Sequence, residues 1–275
     1  MKNILLLTDF SENSENAISF TLEFLEKETS LFYVMHVHKM GTFTTNDLML
    51  SSSGKTIHDS IIEIPKQKIQ TLIKRLQKKF NNSKHSFESI VDFDDFTDAI
   101  KQAIQSKKID LIVIGSNGKT GAKEIIFGSN TLNIIRKVNC TTLVIPEGFT
   151  YKSNKEMLLP LDSIDSLHGK VIQELSGFIK NYKLNLNVLR INTHKDYHDF
   201  EFYDQSNLAT LNYKYFAVND VPIQHAINSF IQIKNIAITA IFIHKETFFE
   251  RFFSGSSSTK ISNSLKAPLL IFHID

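Results

Sequence analysis

The sequence predicts an α/β protein made of two copies of one unit, each a parallel sheet with helices on both faces. Three landmarks recurring in the same order predict the duplication. Residues 4–9 (ILLLTD) and 157–162 (MLLPLD) are apolar runs closed by an aspartate. Residues 91–100 (VDFDDFTDAI) and 218–227 (VNDVPIQHAI) agree at their apolar ends. Gly128 and Ser129 precede Leu143, Val144 and Ile145 at the spacing with which Gly255 and Ser256 precede Leu270, Ile271 and Phe272. Self-similarity of this kind marks one supersecondary unit written more than once. Within each copy, strand-like runs alternate with helix-like ones, which means βαβ crossovers and a parallel sheet.

In the first copy, residues 4–8 are a near-continuous apolar run, the pattern of a strand buried on both faces. Ala17, Phe20 and Phe24, with Ile18, Leu22 and Leu25, recur at helical spacing. Residues 31–37 make the next strand. The stretch 41–60, with SSSG at 51–54, reads as a mobile loop inserted after it. Ile69, Leu72, Ile73, Leu76 and Phe80 mark an amphipathic helix. A strand over 87–91, a helix over 98–106, a strand over 109–114, a helix after Ser129 and a strand over 142–145 finish the unit. The join is the polar segment 146–154 (PEGFTYKSN), so domains are expected over 1–148 and 155–275. The second copy keeps the order, except that 194–211, with HKDYHDFEFYDQ, shows neither period.

Composition narrows the function classes. The 275 residues are 42% apolar and 22% charged, which excludes disorder, collagen and coiled coil. Lys plus Arg is 31 against 29 Asp plus Glu, a net charge of +2 that gives no case for a nucleic-acid binder. Cys140 is the single cysteine, so neither an intrachain disulfide nor a cysteine-based zinc site is available. The apolar run at 4–7 is too short for a secretory h-region, and no run approaches the roughly 20 residues that span a bilayer. A cytoplasmic protein is expected, with no membrane or nucleic acid among its partners.

The most informative segment runs from Gly115 and Gly118 to Gly128 and Ser129. Gly115 and Gly118 fall just past the carboxyl end of an apolar strand, the edge where open α/β sheets take their ligands. Glycine there lets backbone approach a ligand closely. Gly128 and Ser129 open a helical pattern of Leu132, Ile134, Ile135 and Val138, with Ser129 or Asn130 as its expected cap. The first amides of such a helix have no intrahelical partner and sit at the positive end of its dipole, which suits a phosphate.

With Thr8, Asp9, Phe10 and Ser11 after the first strand, Met35, His36 and Val37 closing the second, and the Gly115-x2-Gly118-x9-Gly128-Ser129 spacing, the first copy resembles the universal stress protein family. The glycine spacing is that of its ATP-binding members. The resemblance implies two tandem Rossmann-like domains of the adenine nucleotide alpha hydrolase type. Each would have a five-stranded parallel sheet in the order 3-2-1-4-5, and ATP would lie across the carboxyl edge of the first. It implies that Thr8 and Asp9 border the adenosine and that Val37 contacts the adenine. Gly115, Asn117 and Gly118 would line the ribose and phosphates, and Gly128, Ser129, Asn130 and Thr131 would hold the phosphate chain. Asp9 is also placed to help hold magnesium beside the phosphates. The last strands of the two copies are expected to pair as an internal pseudo-dimer, leaving room for a further homodimer. No base–nucleophile pair stands out, so the expected role is regulatory binding in the stress response, with weak ATP hydrolysis at most. The alternatives are a slow nucleotide hydrolase or transferase, and a nucleotide-free interaction module.

The second copy departs from the motif. His244, Lys245, Glu246 and Thr247 stand where the first glycine pair should recur, and the run to Gly255 is two residues shorter than its counterpart. One nucleotide per chain is therefore expected. Other features have plainer readings. Ser53, Gly54, Lys55 and Thr56 resemble the end of a P-loop, but Met49 stands where its first glycine belongs. His36 reads as a packed strand residue, the histidines and aspartates of 194–199 as a solvated loop, and Cys140 as a small buried hydrophobe. Lys66, Lys68, Lys74, Arg75, Lys78 and Lys79 read as the solvated face of their helix.

Overall fold

The computed structural model describes residues 1–38, 57–116, 127–162, 165, 167, 169–192, 200–243 and 267–273. It is an α/β fold with two compact units. One comprises Met1–Gly115 with Gly128–Cys140, the other Ser116–Phe127 with Thr141–Asp275.

The first unit holds β1 (Lys2–Leu7), α1 (Glu12–Phe24), β2 (Ser30–Val37), α2 (Ile57–Phe80), β3 (His85–Asp92), α3 (Phe96–Lys107), β4 (Leu111–Gly115) and α4 (Ser129–Lys137). Its strands lie in the order β3-β2-β1-β4. All are parallel, with Leu7 level with Met35, Val37 with Asp92 and Leu6 with Val113. Ile4, Leu5 and Leu6 on the central strand are fully buried, as are Phe32, Val34 and Ile112. Helix α1 starts where the Ser11 hydroxyl accepts the Ser14 amide, and it buries Ala17, Ile18, Phe20, Leu22 and Phe24, the residues its 3.6 spacing selects. Helix α3 is capped by Asp95, whose carboxylate accepts the Thr97 amide, and it ends at Lys108 in the left-handed region.

Helix α2 begins at Ile57, inside the stretch expected to be loop. Pro65 lies within it and is buried, four residues before Ile69 on the apolar stripe of its later turns. The remainder of that stretch, including the P-loop-like residues 53–56, lies outside the described residues.

The second unit holds β5 (Thr142–Ile145), β6 (Glu156–Asp162), α5 (Lys170–Tyr182), β7 (Asn185–Asn192), α6 (Phe200–Leu208), β8 (Tyr213–Asn219), α7 (Ile223–Lys234), β9 (Ile238–Ile243) and β10 (Leu269–His273). Its order is β5-β10-β9-β6-β7-β8. Counted from β6, the second copy thus carries all five strands in the order 3-2-1-4-5, each neighbour parallel. Strand β5 runs antiparallel to β10, with Val144 opposite Leu269. Pro160 lies in β6. The ladder to β9 covers only Met157 and Leu158, while that to β7 runs the full length of β6.

Helix α6 is the element whose sequence shows no period, and the structure gives the reason. It buries Asp204 and Leu208 and exposes Phe202. The inward group is a carboxylate, so no apolar stripe marks the helix.

Candidate functional site

Parallel strands end at one edge, and in the first unit that edge carries Thr8, Asp9, His36, Val37 and Gly115. Helix α4 brings a further group there. Cys140, just past its end, approaches the Ile109 carbonyl oxygen at 3.7 Å, on the amino side of β4. The helix therefore runs back along the sheet with its N-terminus at the carboxyl edge.

The turn after β1 is tightly bonded. The Thr8 amide donates to the Met35 carbonyl at 2.9 Å, continuing the β1–β2 ladder. The Thr8 hydroxyl lies 3.0 Å from that of Ser14 and accepts the Phe10 amide at 3.0 Å. Asp9 Oδ1 accepts the Ser11 amide at 3.0 Å and its hydroxyl at 2.5 Å. Burial alone raises the Asp9 carboxyl, but these bonds from Ser11, with one from Ser14, hold it below the usual carboxylate value. Thr8 is buried and the Asp9 side chain is exposed, so the turn presents one anion to solvent from a fixed base.

On β2, His36 is half-buried, and its Nδ1–H donates to the Thr8 carbonyl at 2.8 Å. Burial lowers its pKa, and His38 and Lys68 add to that against the opposing pull of the Thr8 carbonyl and Asp9. Val37 beside it is partly exposed at the edge. Lys68, expected only as part of a solvated helix face, holds its Nζ 5.8 Å from the centre of the Phe10 ring. Sequence reading placed Phe10 after the first strand but missed its meeting with Lys68, because that depends on how α2 crosses the sheet.

Gly115 closes β4 against α1. A Cβ built there would lie 2.9 Å from Asn13 Nδ2, 3.0 Å from its Cγ and 3.1 Å from its backbone oxygen. Close helix–strand packing accounts for this glycine without any ligand. Gly115→Ala is expected to cost about 1–3 kcal/mol of stability through overpacking. Chemical denaturation checks this, and an unchanged midpoint would show that α1 yields.

At α4 the cap is Gly128, in extended backbone and with no side-chain bond, not the expected Ser129 or Asn130. Helical bonding starts with the Leu132 amide on the Gly128 carbonyl at 3.0 Å. The amides of Ser129, Asn130 and Thr131 precede that first bond, so they are the donors an α-helix leaves without an internal partner. Thr131 is buried and Ser129 exposed. The site residues Thr8, Asp9, Val37, Gly115, Gly128, Ser129, Asn130 and Thr131 thus belong to one unit and one edge. Asn117 and Gly118 lie outside the described residues, as do 194–199 and 244–258.

At the corresponding edge of the second unit a buried arginine takes the place of His36. Arg190 lies level with Leu161, as the place of His36 lies one step past the Leu7–Met35 pair. Its guanidinium is fully buried, donates to the Asp162 and Asp165 carbonyls, and forms a paired bridge to Asp204 with contacts of 2.6–3.0 Å. The Tyr215 hydroxyl donates to Asp204 at 2.8 Å. Burial first, then the bond and charge of Asp204, push the Tyr215 hydroxyl well above its ordinary value. Asp162, the counterpart of Asp9, is buried.

A parallel sheet with a glycine-capped helix and a fixed carboxylate at its carboxyl edge defines a Rossmann-like class. The family model described as "Universal stress protein family" matches residues 1–146. The chain belongs to the universal stress protein family. Among its relatives, a universal stress protein of Methanocaldococcus jannaschii is 29% identical over 154 residues, covering 52% of this chain and 94% of that one. A second from the same organism is 26% identical over 144 residues, covering 52% and 81%. The crystal structure of a universal stress protein from Archaeoglobus fulgidus aligns over 98% of this chain and 96% of its own, with a TM-score of 0.69 at 15% identity. That last likeness extends the shared fold across both copies. No helix among the described residues is long and apolar enough to cross a membrane.

Proposed function

We propose that the chain binds one adenine nucleotide, ATP, at the carboxyl edge of its first unit, and that it serves the stress response as a nucleotide-binding regulator. The observation that carries this reading is the start of α4. A glycine cap without a side-chain bond leaves the amides of Ser129, Asn130 and Thr131 for a phosphate, at the edge that holds Asp9 and Val37. In this reading Thr8, Asp9 and Val37 border the adenosine. Gly115, Asn117 and Gly118 line the ribose and phosphates, and Gly128, Ser129, Asn130 and Thr131 hold the phosphate chain. Asp9 is a lone carboxylate, and no cluster of three metal-ligating side chains occurs among the described residues. The Ser11 hydroxyl, bonded to Asp9, is already engaged in capping α1, which speaks for binding rather than transfer. The pairing of β5 with β10 supports an internal pseudo-dimer of the two copies, and the domains are taken as 1–148 and 155–275.

In the second unit, Arg190 and Asp204 occupy the space beside the strand ends, which supports one nucleotide per chain. The test is to denature the purified protein, identify and count the released nucleotide by chromatography, and titrate ATP with magnesium if none is released. About one adenine nucleotide per chain is the expected result. No release and no binding would overturn the reading, and two per chain would overturn the silence of the second unit.

A further inference from the structure

Phe10 has φ +65, in the left-handed region. A bulky side chain there is strained and persists only where its surroundings hold it. Two groups hold this turn. Within it, the Thr8 hydroxyl accepts the Phe10 amide at 3.0 Å. From the neighbouring strand, His36 donates to the Thr8 carbonyl at 2.8 Å and sets its ring 4.6 Å from that of Phe10. The residue between the two fixed points is Asp9, whose carboxylate turns outward and takes both Ser11 donors. The second unit has a donor at the same strand position, Arg190, which bonds the carbonyl of Asp162, the counterpart of Asp9 and so one residue further along than Thr8. A side-chain donor on the second strand, aimed at the carbonyl chain that ends the first, is common to both units.

The geometry points to His36 as the positioning residue for Asp9: it clamps the strained Thr8–Phe10 turn so that the carboxylate is held ready for the ligand of this edge. The ligand half of this inference rests on the nucleotide reading above, while the clamp itself does not. The groups facing His36 are Asp9, His38 with its ring 5.8 Å away, and Lys68. Among the described residues, His36 is the side chain seen to bond the Thr8 carbonyl.

The experiment follows the Asp9 carboxyl carbon by NMR across an acid titration of the full chain, in the native protein and in His36→Leu and His36→Asn. Asn places an amide nitrogen where the imidazole has Nδ1. In the native protein Asp9 should titrate below the usual carboxylate value. His36→Leu should move it upward as the Ser11 bonds loosen, and His36→Asn should restore it. ATP affinity is read by calorimetry in the same proteins, in Asp9→Asn, and in the double variant. His36→Leu should weaken ATP about tenfold, the size of one hydrogen bond lost at a half-buried site, and add nothing once Asp9 is already Asn. An unmoved Asp9 titration in His36→Leu, or additive losses in the double variant, would overturn the inference. If Asp9 follows His36 but the native chain takes no ATP, the clamp stands and the nucleotide reading falls.

Discussion

Asp204→Ala should destabilise the second unit by about 3–5 kcal/mol, the usual cost of breaking a buried ion pair from one side. The Arg190 and Asp204 side chains are 2% and 4% exposed, and Arg190 Nη2 lies 2.6 Å from Asp204 Oδ1. Alanine would leave the buried guanidinium without its carboxylate and would strip Tyr215 of its acceptor. Denaturation followed by amide exchange on β7 and β8 reads the effect, with the amides of β1 and β2 little changed. The double variant Arg190→Met with Asp204→Leu should recover most of the loss, because apolar side chains of similar volume remove both charges together. Arg75→Ala supplies the contrast. Its pair with Glu15 is as short, 2.5 Å, but the side chains are 60% and 34% exposed, so the cost should stay below about 1 kcal/mol. A loss for Asp204→Ala as small as that would show that water reaches Arg190.

Gly128→Val should weaken ATP about 100-fold while leaving the fold in place. The cap residue is in extended backbone, which valine adopts without strain, so the variant still builds the turn. Valine is a poorer cap than glycine, and that costs α4 up to about 1 kcal/mol. The larger effect falls on the ligand, since an isopropyl group beside the first amides keeps a phosphate from one or two charge-assisted bonds worth about 1.5–3 kcal/mol each. Calorimetric titration with ATP measures the loss, and the melting curve separates it from the capping cost. Unchanged affinity would move the phosphates away from α4.

Much of this was legible in the sequence because the physics is local. Residues 4–8 read as a buried strand, and α1 read from its spacing. The repeat of Gly-Ser ahead of the last strands fixed the order of the elements. What stayed hidden was decided by partners distant in sequence. Gly115 reads as a ligand-facing glycine, yet its nearest neighbour is Asn13 on α1, which no local pattern reveals. Helix α6 lacks a period because it docks through Asp204 onto an arginine of β7. The cap of α4 shifted by one residue, from Ser129 to Gly128, within the ordinary uncertainty of helix ends. His36 read rightly as packed, but packing against Phe10 and Thr8 is what ties it to Asp9.

The antiparallel pairing of β5 with β10 sets a problem for the chain as it is made. Val144 meets Leu269, so β5 leaves the ribosome well before its partner exists. Until β6 to β9 have formed and β10 has emerged, β5 offers an open row of backbone donors and acceptors with buried-type side chains, the template on which other chains pair. Contacts of such long separation also form slowly. Synthesis therefore passes through an interval in which the nascent protein is prone to associate with copies of itself, and that interval closes when β10 docks.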